Sequence, residues 1–206
     1  MRFDLWIAVC AGHIFLLVLD IIRIRMSRHH HDTNWDPLLT ALAQIYQEVD
    51  EEAGRLAGLH AERLQCGRGC CSCCVDGLTV FEVEAENIRR RHPALLREGA
   101  PRAEGGCAFL DDAGACRIYP HRPYVCRTQG LPLRWIDEAP GEGLVELRDI
   151  CPLNDEGASI ESLSQDACWT IGPFEERLAR LQARVDGGVL RRVSLRSLFH
   201  RDEPSP

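Results

Sequence analysis

The sequence predicts a small, irregular α+β domain, mainly helical, and three observations predict it. Two stretches, 38–59 and 174–185, carry apolar residues at three- and four-residue steps, the pattern of amphipathic helices. Between 99 and 143 Gly and Pro are frequent and that period lapses, so loops, turns and short strands are expected there. Eleven cysteines stand in 206 residues, nine of them within 66–151. At 45% hydrophobic and 27% charged, the chain has a folding composition. Its length favours one domain with attachments over two full domains. The net charge of -7 argues against a general nucleic-acid coat. All 24 basic residues are Arg, which excludes a lysine nucleophile or Schiff base.

Residues 1–35 read as an apolar leader and linker. The apolar run 5–22 is 18 residues long, about 27 Å as a helix against a bilayer core of roughly 30 Å. It is a candidate membrane anchor, weakened by His13 and Asp20. Arg23, Arg25 and Arg28 follow it, which would leave the rest of the chain on the cytoplasmic side. A secretion signal has the opposite charge order. His29, His30 and His31 read as linker. Residues 36–65 read as one long helix: Asp36-Pro37 opens it, Leu38, Leu42, Ile45, Tyr46, Val49 and Leu56 form its apolar stripe, and it ends near Leu64. Glu48, Asp50, Glu51 and Glu52 mark its wet face. A second helix is expected over 79–92, with Thr79 and Glu82 as a capping box and Pro93 beyond its end. Short strands are expected at 107–110 and 144–147, and a tight turn over 111–114. Residues 156–206 read as a helical, Arg-rich carboxy-terminal segment, helical near 160–168 and again from Gly172-Pro173 to 185.

The cysteines carry the chemistry. Cys66, Cys70, Cys71, Cys73 and Cys74 fall within nine residues, followed by Cys107, Cys116, Cys126, Cys151 and Cys168. They sit among Gly, Ser and Arg, not among apolar neighbours as core cysteines do. Thiols spaced closely on a loop can converge on one ion, and the two-residue gap from Cys70 to Cys73 is a common chelating spacing. A metal centre is the leading reading. A disulfide scaffold is disfavoured by the odd count, the lack of an export signal and an expected reducing cytosol. Metal-free redox chemistry at Cys70 and Cys73 stays open. Soft thiolates favour zinc, iron–sulfur or Cu(I) over magnesium or calcium. Arg68, Arg117, Arg122 and Arg127 could offset the thiolate charge or donate to the sulfurs. His121 is a further candidate ligand. The candidate ligand set is Cys66, Cys70, Cys73, Cys74, Cys107, Cys116, Cys126 and Cys151, enough for two four-coordinate sites or one with spares. Cys10, Cys71 and Cys168 are the leftovers.

These residues resemble the YkgJ-type cysteine-cluster family of zinc- or iron-chelating domains. Cys66, Cys70, Cys73 and Cys74 match its first group; Thr79 and Glu82 open the following helix; Cys107, Phe109 and Leu110 match the next piece. Cys116, Ile118, Tyr119, Arg122, Pro123, Cys126 and Arg127 match the last, with Cys151 as a late cysteine. Cys71 is an extra thiol inside the motif. The resemblance implies iron–sulfur or metal binding over roughly 60–155. A similar domain occurs in flagellin lysine N-methylases, but no glycine-rich nucleotide fingerprint stands here to carry that activity over.

The expectation is therefore an α+β domain organised around a cysteine-ligated metal centre, with 66–155 as the cysteine-cluster domain. Its centre would be iron–sulfur ahead of zinc, structural or electron-transferring. The alternatives are a metal-dependent modifying enzyme and an iron or zinc delivery module. A protein partner and a cytoplasmic location are expected, with 5–22 as a candidate inner-membrane contact or else a helix packed on the domain or a partner, and no specific nucleic acid.

Overall fold

A computed structural model describes residues 33–67, 69–141 and 143–199. The leader, the His tract, Cys10 and Arg68 lie outside them. The chain divides after Asp36; of the first unit the described residues are 33–36, which include the start of the first helix, and the fold is that of the second unit.

Helix α1 is Trp35–Leu59. Leu38, Leu42, Ile45, Tyr46, Val49 and Leu56 are buried along one stripe, as the period requires. The opposite face is wet, though two of its acids reach other elements: Asp50 pairs with Arg127 at 2.6 Å and Glu48 with Arg177 at 2.6 Å. The helix stops at Leu59, five residues before the expected end. Beyond Gly58 the chain tightens into three-residue turns, with the Arg63 N–H donating to the His60 carbonyl at 3.0 Å. His60 Nε2 donates to the Ala167 carbonyl at 2.7 Å, and the Arg63 guanidinium holds the carbonyls of Glu156 and Ala158. These long-range bonds outweigh continuation of the helix. No helix among the described residues is long and apolar enough to cross a membrane.

The stretch 79–92 divides where one helix was expected. Strand β1 is Thr79–Phe81 and helix α2 is Glu82–Arg91. The Thr79–Glu82 capping box does not form: the Thr79 hydroxyl accepts from Arg192 Nε at 3.0 Å, and Glu82 is buried against Arg89 and Arg191. Glu84, not Glu82, reaches back to the chain before the helix, its Oε2 accepting from the Phe81 N–H at 3.3 Å. Pro93 ends α2, since the residue before proline avoids helical geometry, and helix α3 (Pro93–Glu98) follows.

A hairpin of β2 (Leu133–Ala139) and β3 (Gly143–Asp149) comes next. Strand β4 (Trp169–Thr170) pairs parallel with β2, giving the order β3-β2-β4. Only β3 was expected, in shortened form, and 107–110 is not a strand but ends in a single bridge from Leu110 to Cys116. Trp135 stands in this hairpin opposite Leu147. The 160–168 stretch is two short 3-10 turns, Ile160–Ser162 and Gln165–Ala167. Helix α4 (Pro173–Asp186) buries Leu178 and Leu181 and stops at Gly187, whose φ of 68° suits a left-handed cap. Strand β5 (Arg192–Ser194) returns antiparallel to β1.

One core joins β1, α2, α3 and the last turn: Val80, Ile88, Leu96, Phe109, Ile118, Leu195, Leu198 and Phe199. Cys107 lies within it, and Cys71, Cys74 and Cys116 pack against it. A second set of rings, Trp169 stacked on Phe174 at 5.2 Å beside Tyr124, joins β4 and α4 to the loop before Cys126. The fold is thus a small, irregular, mainly helical α+β arrangement, with the cysteines on loops against the core.

Candidate metal centre

Turns bring the cysteines in. After α1, the Cys70 N–H donates to the Gly67 carbonyl at 3.0 Å and the Cys74 N–H to the Cys71 carbonyl at 2.9 Å, so the chain reverses twice within the motif. The Cys107 N–H donates to the Cys74 carbonyl at 2.9 Å and sets the second loop against the first. The expected turn at 111–114 forms: Asp111 Oδ1 accepts from the Ala113 and Ala115 N–H groups, and Gly114 takes φ of +77°. It folds Cys116 back beside Leu110. The 3-10 turns Tyr119–His121 and Tyr124–Cys126 then carry the chain to Cys126.

Five of the eight candidate ligands act on one another. The Cys74 thiol donates to Cys73, and this bond pulls Cys73 down to about 6 while pushing Cys74 far up, helped by burial and by the charges of Cys73, Cys107 and Cys126. Burial, then Cys107 and Cys116, push Cys126 up to about 12. Burial raises Cys107 and Cys116 as well, and the Cys107 charge adds to the rise at Cys116. These are thiols from four loops that resist ionising together.

Cys66 and Cys151 stand differently. Asn154, fully buried, donates from Nδ2 to Cys66 Sγ at 3.2 Å and to the Gly130 carbonyl at 2.8 Å. The Asn154 N–H donates to the Cys151 carbonyl at 2.8 Å. Gly130 is required there: at φ of +93°, a Cβ would lie 2.5 Å from Cys66 Sγ. Cys66 and Cys126 line one cleft of about 520 Å³ between α1 and the cysteine loops, with Tyr119, Arg122 and Arg127 around it. Cys70 is half-buried in its turn. Cys71 fills space beside Gly114, at 3.5 Å from where a Cβ would stand. Cys168 is buried away from the five, with Arg148 Nη1 3.9 Å from its sulfur. Every described cysteine is free.

The arginines brace loops. Arg117 donates to the carbonyls of Ala100, Ala108 and Phe109, flanking Cys107. Arg122 donates to the Cys126 and Tyr119 carbonyls while lying 4.0 Å over the Tyr119 ring. Arg127 donates to the Arg122 and Pro120 carbonyls, pairs with Asp50 and covers Tyr46 at 3.9 Å. His121 faces His92, nitrogen to nitrogen at 3.0 Å.

Sequence reasoning missed three supports. Glu84 is fully buried, with Oε1 accepting from the Tyr46 hydroxyl at 2.9 Å and from the Tyr124 N–H at 2.8 Å. It ties α1 and α2 to the turn holding Cys126, and burial holds its carboxyl above the usual range. Asn154 and the Asp76–Arg196 pair are the others. Only Glu84 had a local signal, since it stands three residues after Phe81 at the start of α2.

Among the described residues, no three His, Cys, Asp or Glu side chains stand as a ready chelate. The donor chemistry nevertheless suits a soft cation: the coupled set is all sulfur, and a cation would relieve the mutual resistance to ionisation.

No match was found among the curated proteins or among the solved structures. Residues 65–151 match the family model CxxCxxCC, described as "Putative zinc- or iron-chelating domain". That span begins at the residue before Cys66 and ends on Cys151, enclosing the cysteine loops just described, and over it the chain is similar to the YkgJ-type cysteine-cluster, or CxxCxxCC, family.

Proposed function

We propose that this domain holds an iron–sulfur centre, with zinc as the second choice, and uses it structurally or to pass electrons to a protein partner. One observation carries the reading: Cys73, Cys74, Cys107, Cys116 and Cys126 come from four loops and are electrostatically coupled. Four such thiols would hold a cluster or an ion, and binding would add folding energy to that of the core these loops pack against. Cys66 and Cys151, joined through Asn154, are candidates for a second group with Cys70. One point favours iron–sulfur: the cleft beside Cys66 and Cys126 leaves the centre a side open to a partner, which a closed structural zinc does not need. That same cleft supports the second reading, a metal-dependent modifying enzyme or delivery module. A reducing, cytoplasmic setting would keep the thiols available.

The test is anaerobic purification with an absorption spectrum and analysis of iron, zinc and sulfide. A brown protein with a broad band near ~400 nm and sulfide in proportion to iron supports the proposal. A colourless protein with one or two zinc ions overturns the iron–sulfur choice, and one with neither metal overturns both. Cys73→Ser should abolish binding; normal metal content in that variant would overturn the ligand assignment.

A further inference from the structure

The segment that closes the cysteine loops lies outside the family span. Residues 192–199 follow α4 and return to the cysteine side: β5 pairs with β1, and the Leu195 N–H donates to the Leu78 carbonyl at 2.9 Å. Leu195, Leu198 and Phe199 are buried, with the Phe199 ring 4.8 Å from that of Phe109. Between these anchors stands Arg196.

Its guanidinium grips Asp76 with two bonds, Nε to Oδ1 at 2.9 Å and Nη2 to Oδ2 at 2.7 Å. It also donates to the Arg102 carbonyl at 2.6 Å and to the Gly106 carbonyl at 3.1 Å. Asp76 in turn accepts from the Gly77 N–H at 2.9 Å and the Gly105 N–H at 3.3 Å. Asp76 is two residues after Cys74, and Gly106 is one residue before Cys107. One planar cation therefore joins the two loops beside the point where Cys107 donates to the Cys74 carbonyl. A lysine could carry the charge but not span four acceptors in a fixed fork.

We infer that Arg196 is a positioning residue for the thiol centre, holding Cys74 and Cys107 at their working separation through Asp76. The inference rests on the proposed metal-binding role. Residues that orient ligands without touching the metal typically change affinity 10- to 100-fold when removed. The Arg196–Asp76 clamp acts one to two residues from two candidate ligands, so about tenfold is expected at minimum.

The experiment uses the full chain with Arg196→Gln, Arg196→Lys and Asp76→Asn, and Leu178→Ala in α4 as a control that lowers stability outside the core cluster holding Cys107 and Cys74. Two rates are measured: loss of the bound metal to a chelator, and, in metal-free reduced protein, alkylation of each cysteine by N-ethylmaleimide, located by mass spectrometry. Arg196→Gln and Asp76→Asn should lose metal at least about tenfold faster and speed labelling at Cys74 and Cys107, with Arg196→Lys only partly restoring either rate. Leu178→Ala, even with a larger drop in melting temperature, should leave both rates near wild type. Wild-type rates in Arg196→Gln, or the same acceleration in Leu178→Ala, overturn the inference. If the wild-type protein binds neither iron nor zinc, the proposed function fails, while the alkylation rates still judge the clamp. If Arg196→Gln does not fold, Asp76→Asn and Arg196→Lys give the same two rates.

Discussion

Replacing Glu84 should loosen the whole cysteine side of the domain, because one carboxylate serves three elements. Glu84→Ala removes the acceptor of the buried Tyr46 hydroxyl and of the Tyr124 N–H, at 2.9 and 2.8 Å. A buried donor left without a partner costs about 1–3 kcal/mol. With the weaker bond from Phe81 at 3.3 Å lost as well, the sum is about 3–5 kcal/mol. Glu84→Gln keeps an oxygen for Tyr46 and Tyr124 but turns an amide N–H toward the Phe81 N–H, costing about 1–2 kcal/mol. The pH dependence separates this from simple packing loss. Burial, the dominant cause, holds the folded Glu84 carboxyl above its ordinary value of 4.5. The folded state then binds its proton more tightly than the unfolded chain does. That contribution is fully present below 4.5 and is lost as pH rises through the folded value. The cost of Glu84→Gln should therefore be greatest in acid and shrink as pH rises. The assay is urea unfolding of wild type and both variants at matched metal content from pH 4 upward, with the difference between curves read at each pH (roughly half-unit steps suffice). A cost below about 1 kcal/mol for Glu84→Ala, or a Gln penalty that grows with pH, would refute the reasoning.

Three further outcomes follow from the same contacts. Asn154→Ala strips the donor from Cys66 and Gly130 and the acceptor from the Gln65 N–H; it should cost about 2–4 kcal/mol by chemical denaturation and speed alkylation of Cys66. Gly130→Ala must force its Cβ away from Cys66 Sγ at a positive φ; about 2–4 kcal/mol and a displaced Cys66 are expected, read by melting and by labelling. Cys168→Ser stands apart from the coupled thiols, so metal content should equal that of wild type, measured by elemental analysis.

Helices were legible because burial follows a local period. The stripe of Leu38, Leu42, Ile45 and Val49 lies where the three- and four-residue steps put it, and so does that of Leu178 and Leu181. The cysteine motif was legible as a donor set because residue type and spacing are local. The strand at 79–81 was not, since a Thr with a Glu three residues on reads as a helix start. Its true state is fixed by β5, paired from Thr79 to Ser194. The β2–β3 hairpin hid for a related reason: Arg134, Glu146 and Arg148 on one face pair with one another, so the strands show no plain apolar alternation. Asn154, Asp76 and Arg196 carry no signal at all in isolation. Asn154 meets Cys66 across 88 residues of chain and Asp76 meets Arg196 across 120, and polar type alone says nothing of burial. Which thiols lie near one another was equally hidden, because that depends on successive turns and on long-range contacts through Glu84, Asn154 and the Asp76–Arg196 pair.

The crowding of the thiols makes metal uptake a measurable proton event. Burial and neighbouring charge hold Cys107 and Cys116 above their ordinary value, Cys126 at about 12 and Cys74 higher still. At pH 7 these four are protonated in the metal-free protein. Cys73, pulled down to about 6 by the bond from Cys74, is already ionised. A metal ligand must be a thiolate. Zinc held by Cys73 and three of the others should therefore release about three protons or more. The pair Cys73–Cys74 titrates as a unit, so the count belongs to the set and not to a chosen residue. Binding must also strengthen with pH between 6 and 8, by about tenfold per unit for each proton released. Titrating the reduced, metal-free protein with zinc in a weakly buffered indicator solution gives the count directly. Release of one proton or fewer at saturation would mean that the ion is held outside the coupled set, and the five-thiol centre would be wrong.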